Sequence, residues 1–428
     1  MPQRPVHDEP SRFQRVVAVF LIFLRLGCTS FGGPVAHLAF FRTEFVERRR
    51  WLDERSYADL VALCQFLPGP ASSQVGMVVG WQRAGWGGLA AAWLGFTLPA
   101  AVLMVGFAYG VTQLAALQAS PLWQGALHGL KVAAVAVVAQ AVWGMARSLC
   151  PDAARRALAL VAAALALGVP WFTGAGLAWG QLLAMAVCAL AGLAVGARWL
   201  PPPQAGAGAD THRGFGLPRA AGWAALLLLA GALLGLPLWA AGSGSALLAQ
   251  VDGFFRAGAL VFGGGHVMLP LLQSSVVPSG AVDAADFLAG YGAAQAMPGP
   301  LFSFSAYLGA VMNPAVLGPL APWQGGALLL LAVFAPALLL VVGLLPFWEV
   351  LRQRPGVRTA MTGLNAGVVG LLVAALIDPV WPSAIHTPAD FALALLALLA
   401  LLALIRWRLS PLWVVLGCAG AGALWALT

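Results

Sequence analysis

The sequence predicts an all-α polytopic membrane protein whose two homologous halves form an inverted repeat, with broken or re-entrant helices at matching points. Three observations carry this. The chain of 428 residues is 61% hydrophobic and only 9% charged, against about a quarter charged in soluble domains, so a water-soluble fold is excluded. The runs 96–111, 221–238, 327–345 and 391–405 carry no charged residue, and several reach, with their flanks, the roughly 20 residues that a bilayer crossing needs. Finally, Phe31-Gly32-Gly33 recurs as Phe262-Gly263-Gly264, and Leu67-Pro68-Gly69-Pro70 as Met297-Pro298-Gly299-Pro300, at offsets of 231 and 230 residues.

The elements follow in order. Residues 1–12 are a polar N-terminus without an apolar core, so no cleavable signal peptide is expected there. Residues 13–197 form the first half: a helix over 13–30 stopped by Phe31-Gly32-Gly33-Pro34, a second stretch over 37–48, and a basic loop to Arg55. Next come 57–67, the Pro68-Gly69-Pro70 break and 71–83. Longer spans follow at 86–117, 121–147, 154–168 and 174–197, with a kink expected at Pro99. The Pro/Gly/Ala-rich residues 198–218 read as a cytoplasmic linker, and 219–240 as a connecting transmembrane helix. Residues 241–428 repeat the order of the first half. The match reaches into the long spans, where Gly129-Leu130-Lys131 corresponds to Gly363-Leu364-Asn365.

Charge orients the halves. Of 23 basic residues, Lys131 is the single lysine, and the arginines are dispersed among loops. They therefore read as topology signals and not as a nucleic-acid surface. No Lys or Arg occurs between Ala257 and Val350, whereas the matching stretch of the first half carries Arg42, Arg48, Arg49, Arg50, Arg55 and Arg83. The positive-inside tendency then puts the first half's breaks, and the N-terminus, on the cytoplasmic side, with the second half's breaks opposite. The five cysteines show no metal or disulfide spacing and read as packing residues.

Paired broken helices with a repeated intramembrane charge mark a substrate site. A break exposes backbone N–H groups at the positive end of a helix dipole, which suits an anion. The candidate binding residues are those of the breaks: Phe31, Gly32, Gly33, Pro68, Gly69 and Pro70 in one half, and Gly263, Gly264, Gly265, Pro298, Gly299 and Pro300 in the other. The hydroxyls Ser72, Ser73, Ser303 and Ser305 either cap their own helices or donate to the solute. Arg25 and Arg256, each six residues before a Phe-Gly-Gly, could offer guanidinium forks. The competing readings are snorkelling for Arg25 and a local pair with Asp252 for Arg256. Lys131, inside a span, needs a carboxylate, a cavity or an anion. Gln65 and Gln295 either line the cavity or bridge helices. His37 and His266 are candidates for proton coupling or ordinary polar groups at helix ends. Glu44, Glu47, Asp53, Glu54 and Asp59 read as surface ion-pair partners of the basic loop.

The combination of Phe31-Gly32-Gly33-Pro34, His37, Glu44-Phe45-Val46, Trp51-Leu52 and Gln65-Phe66-Leu67-Pro68-Gly69-Pro70 resembles the chromate ion transporter family in its long, two-domain form. Phe262-Gly263-Gly264-Gly265-His266 and Gln295-Ala296-Met297-Pro298-Gly299-Pro300 resemble the second-domain versions, although Gly265 replaces the proline of the first copy. The resemblance implies secondary export of chromate from the cytoplasm and chromate resistance, with sulfate as a related tetrahedral dianion. The expected protein is thus a multi-pass carrier of the bacterial inner membrane that works by alternating access. Its partners are the oxyanion and the lipid bilayer; a homodimer is left open, and neither nucleic acid nor any cofactor or metal is expected. Sulfate uptake or exchange, and a flippase or membrane scaffold, are the alternatives. No nucleophile–base pair or nucleotide loop supports an enzyme.

Overall fold

A computed structural model describes residues 11–31, 33–112, 120–173, 177–195, 217–261, 268–347, 354–385, 390–407 and 411–427. The expected polar N-terminus, most of the linker, and Gly32, Gly263, Gly264, Gly265 and His266 lie outside them.

Helix α1 (Arg12–Thr29) starts at a capping box in which Ser11 accepts from the Gln14 amide and Gln14 returns the bond. It stops at extended Ser30. Helix α2 (Gly33–Arg42) opens with Gly33 at φ 77° and carries Pro34 in its first turn, where a missing N–H is harmless. A π-helical turn, Thr43–Arg48, follows. Asp53 then caps α3 (Glu54–Phe66), which ends before Pro68. Helix α4 (Ala71–Thr112) is two arms joined at non-helical Ala84 and Gly85. Pro99 sits within regular helical backbone, so the expected kink falls instead at this glycine turn, where φ is 62°. The half closes with α5 (Pro121–Leu149), α6 (Ala153–Thr173) and α7 (Leu177–Val195).

Helix α8 (Arg219–Ser243) joins the halves; it exposes Trp223, Leu227, Leu228, Leu234 and Leu238, an apolar flank suited to lipid. The second half contains α9 (Ala246–Leu260), α10 (Met268–Val276), α11 (Ala284–Ala296), α12 (Phe304–Val311), α13 (Pro322–Leu344), α14 (Pro355–Ala375), α15 (Asp390–Arg406) and α16 (Pro411–Trp425). Among the described residues, five helices are long and apolar enough to cross a membrane: Ala71–Thr112, Pro121–Arg147, Arg219–Ser243, Pro322–Phe347 and Gly356–Asp378. This is a multi-pass helical membrane protein of two homologous halves.

The halves are exchanged as well as repeated. Helix α5 of the first half packs on α16, α15 and α11 of the second, while its counterpart α14 packs on α7, α6 and α10. Each crossing is made by bare backbone. A Cβ at Gly129 would strike the Cys418 carbonyl oxygen, and one at Gly363, the repeat-matched position, would strike the Cys188 carbonyl oxygen. Such small-residue crossings let helices associate in lipid, where no hydrophobic force drives them together. Cys188 and Cys418 are buried thiols at these two matched crossings.

A methyl at either crossing has only backbone to displace. Gly129→Ala and Gly363→Ala should each destabilise the protein by about 1–3 kcal/mol. Gly417→Ala, with nothing near its Cβ position, should leave the melting temperature in detergent unchanged.

Candidate functional site

The broken segments of the two halves are tied to each other by a reciprocal pair of hydrogen bonds. The Gly69 N–H donates to the Val261 carbonyl at 2.6 Å, and the Gly299 N–H donates to the Ser30 carbonyl at 2.9 Å. Gly69 and Gly299 are the central residues of the two Pro-Gly-Pro breaks; Ser30 and Val261 are the residues at which α1 and α9 end. A helix end leaves carbonyls without partners, and in lipid no water supplies them. Each half's glycine thus satisfies a carbonyl of the other half. Both glycines have positive φ, 114° and 93°. A Cβ at Gly69 would lie 3.0 Å from Ala337 Cβ, and one at Gly299 3.1 Å from the Phe96 oxygen. Proline before and after each glycine holds it between stiff neighbours.

Buried polar side chains gather around this interlock. Ser73 and Ser303 are repeat-matched, stand three residues beyond Pro70 and Pro300, and are 2% exposed with hydroxyls that have no partner. Ser305, Ser30 and Thr97 are buried with unpartnered hydroxyls too. Gln74 donates to the Pro68 carbonyl at 2.8 Å and leaves its Oε1 free. Ser72 lies 3.3 Å from His37 Nδ1, and the buried His37 ring meets Phe96 edge-on, with its Nε2 unpartnered. Buried polar atoms normally have partners, so this unpaired set makes the interlock the candidate site. Of the expected glutamines, Gln295 is half-buried with its Nε2 unpartnered, whereas Gln65 is exposed. Phe31 and Pro68 are half-buried, and Pro70, Pro298 and Pro300 are buried.

The two arginines have carboxylate partners in their own halves. Arg25 pairs with Glu44 at 2.7 Å, while Arg256 Nε contacts both oxygens of Asp252 at 2.8 and 3.0 Å and its Nη2 approaches the Leu233 carbonyl at 3.5 Å. The local pair is therefore the reading the structure adopts for Arg256.

Glu44 overturns the expectation of a surface ion pair. It is 2% exposed and also binds Arg48 at 2.9 Å and Arg49 at 2.6 Å. Three guanidiniums around one carboxylate leave a local charge of +2. Burial pushes the Glu44 carboxyl upward, but the Arg49 hydrogen bond and the charges of Arg25, Arg49 and Arg48 outweigh it and hold its pKa below the usual 4.5. Its place in the sequence did not signal burial, because the π-helical turn that carries it inward has no clear sequence signature. On the same side, the Arg49 and Arg83 guanidiniums lie 5.6 and 5.1 Å from the Trp51 ring centroid. Arg12 approaches Gly85 there as well.

Lys131 is half-buried, with Asp286 and Asp283 of the second half as its electrostatic neighbours. The carboxylates it needs come from the second half, at the start of α11. Among the described residues, no group of His, Cys, Asp and Glu gathers to hold a metal.

Gly69→Ala and Gly299→Ala should each cost about 1–3 kcal/mol through strain at positive φ, measurable as a fall in melting temperature. Glu44→Gln should destabilise by about 1–3 kcal/mol at neutral pH. Because folding lowers the Glu44 pKa, its stabilisation is complete above about pH 4.5 and fades as pH falls through the folded value. The stability gap between wild type and Glu44→Gln should therefore be flat from pH 6 to 8 and shrink below about pH 4.5.

The sequence profile described as "Chromate transporter" matches residues 17–193 and 248–423, once in each half. The chain is 27% identical to the chromate transport protein of Pseudomonas aeruginosa over 383 residues, covering 87% of this chain and 82% of that one. It is 25% identical to the probable chromate transport protein of Synechococcus elongatus, covering 94% of each chain. With the chromate transport protein of Cupriavidus metallidurans it shares 26% identity over 97% of this chain and 94% of the relative. No solved structure matches. The profile's two matches fall on the two halves whose breaks interlock, and this chain belongs to the chromate transporter family.

Proposed function

We propose that the protein is a secondary transporter that exports chromate, a tetrahedral divalent oxyanion, from the cytoplasm by alternating access. The observation that carries this reading is the matched pair Ser73 and Ser303. Each is a buried, unpartnered hydroxyl in the first turn beyond a Pro-Gly-Pro break. A dianion leaving water needs donors at fixed positions. Two helix N-termini contribute about half a positive charge each, and the hydroxyls add directed hydrogen bonds. Ser72, Gln295 and the N–H groups that open the helices beyond the breaks complete the proposed shell.

In this reading Arg25 acts at the approach to the site. Its cluster with Glu44, Arg48 and Arg49 carries a net +2, and the matching cluster in the second half, Arg256 with Asp252, is neutral. The charged vestibule faces the cytoplasm by the positive-inside tendency, in a bacterial inner membrane with the N-terminus also cytoplasmic. The proximity of Arg12, the basic loop and Arg83 supports re-entrant breaks that return to the side they left. Helix α8, a single crossing, would then invert the second half. Outward movement of a dianion is favoured by about 2.3 kcal/mol per charge per 100 mV at a negative-inside potential. Energy for efflux and resistance thus lies in the potential itself, with His37 available for proton coupling.

The test is flux of labelled chromate into everted membrane vesicles. Ser73→Ala and Ser303→Ala should each reduce flux at least about tenfold, since each leaves a buried dianion short of a donor. Collapse of the potential should abolish it. Sulfate that competes fully and is itself carried faster would move the substrate to sulfate, and undiminished flux in both serine variants would refute the site.

A further inference from the structure

A cleft apart from the interlock lies where α6 and α7 of the first half meet α10 and α14 of the second. It has a volume of about 130 Å³ and is lined by Gln181, Gln273, Ser274, Pro278 and Asp378 among apolar neighbours. Gln273 is 3% exposed, and neither its Oε1 nor its Nε2 has a partner. A buried amide in that state calls for a guest. Asp378 stands beyond α14 in a π-helical turn, Leu376–Val380, at non-helical φ −145° and ψ 118°. Exposed at the cleft's rim, it is the one charged residue among the described residues that line it. The neighbouring groups are fixed: Gln181 Nε2 donates to the Pro270 carbonyl at 3.2 Å, and Ser274 Oγ donates to the Leu271 carbonyl at 2.8 Å and reaches Gln181 Oε1 at 3.4 Å. A hydroxyl that donates still has acceptor lone pairs. Val277 and Pro278, at the C-terminal and negative end of α10, complete the wall.

We propose that this cleft binds one monovalent metal cation of the sodium class. The guest is not an anion, because Asp378 and the end of α10 would repel it. A divalent ion would take several carboxylates, and the described residues of the cleft supply one. A proton would need no shell of neutral oxygens, whereas Gln273 Oε1 is a neutral ligand left unpaired and Ser274 adds another. Unwound backbone and half-helix C-terminal ends are the places where membrane carriers hold cations. The volume matches about four waters at some 30 Å³ each, enough for an ion that keeps part of its hydration. Asp378 and the start of α10's following loop lie at the opposite end from Arg354 and Arg358, which open α14, so the cation would enter from the side away from the basic loops.

The experiment is equilibrium binding of radiolabelled sodium to the purified full-length protein in lipid nanodiscs, in choline buffer without oxyanion. The outcome is therefore independent of chromate transport. Saturable binding of one ion per chain is expected. Asp378→Asn should abolish it, Gln273→Leu should weaken it at least about tenfold, and Asp152→Asn, a surface carboxylate beside Arg155, should leave it unchanged. Absence of saturable sodium binding in the wild type, or wild-type affinity in Asp378→Asn, overturns the proposal. Should Asp378→Asn not fold, unchanged affinity in Gln273→Leu overturns it. Calcium displacing the label at lower concentration than sodium overturns the monovalent assignment.

Discussion

Interrupted helices in a membrane must find partners for their ends inside the protein, and here each half finds them in the other. Two N–H groups, from Gly69 and Gly299, close on two carbonyls, Val261 and Ser30. The exchange explains why the breaks come as Pro-Gly-Pro: a positive φ turns the donor outward from its own segment, and Cβ-free space lets the opposite helix approach. It also holds Ser73 and Ser303 at matching places on either side of the contact. The glycine crossings at Gly129 and Gly363 join the halves again, through α5 with α16 and α14 with α7.

The symmetry of the backbone is not carried into the charges. The first half surrounds one buried carboxylate, Glu44, with three arginines, while the second half has a single balanced pair, Arg256 with Asp252. A carrier with identical half-sites would have no electrostatic sense of direction. Here the matched positions differ in charge, one cluster carrying a net +2 and the other neutral. The cleft lined by Gln273 and Asp378 lies where a π-helical turn ends α14.

Much of this was legible in the amino-acid order. Composition excluded a soluble fold, the repeat of Phe-Gly-Gly and Pro-Gly-Pro located the breaks, and the family resemblance followed from those same residues. Ser73 and Ser303 were visible as hydroxyls just beyond matched breaks. Glu44 was not, because an acidic residue among arginines looks like an exposed partner until a π-helical turn carries it inward. Gln65 and Gln295 part company: their match suggested a shared role, lining the cavity or bridging helices, but Gln65 is exposed and Gln295 half-buried.

By itself the sequence determined the class of fold, the positions of the helix breaks and the duplication, because hydropathy and the dihedral demands of glycine and proline are local properties. Only the tertiary structure decided which carbonyl each glycine serves, that Asp283 and Asp286 stand beside Lys131, and that Gln273 and Asp378 line one cleft. Those are contacts between segments far apart in the chain. They are set by the exchange of helices between halves, which no local pattern encodes.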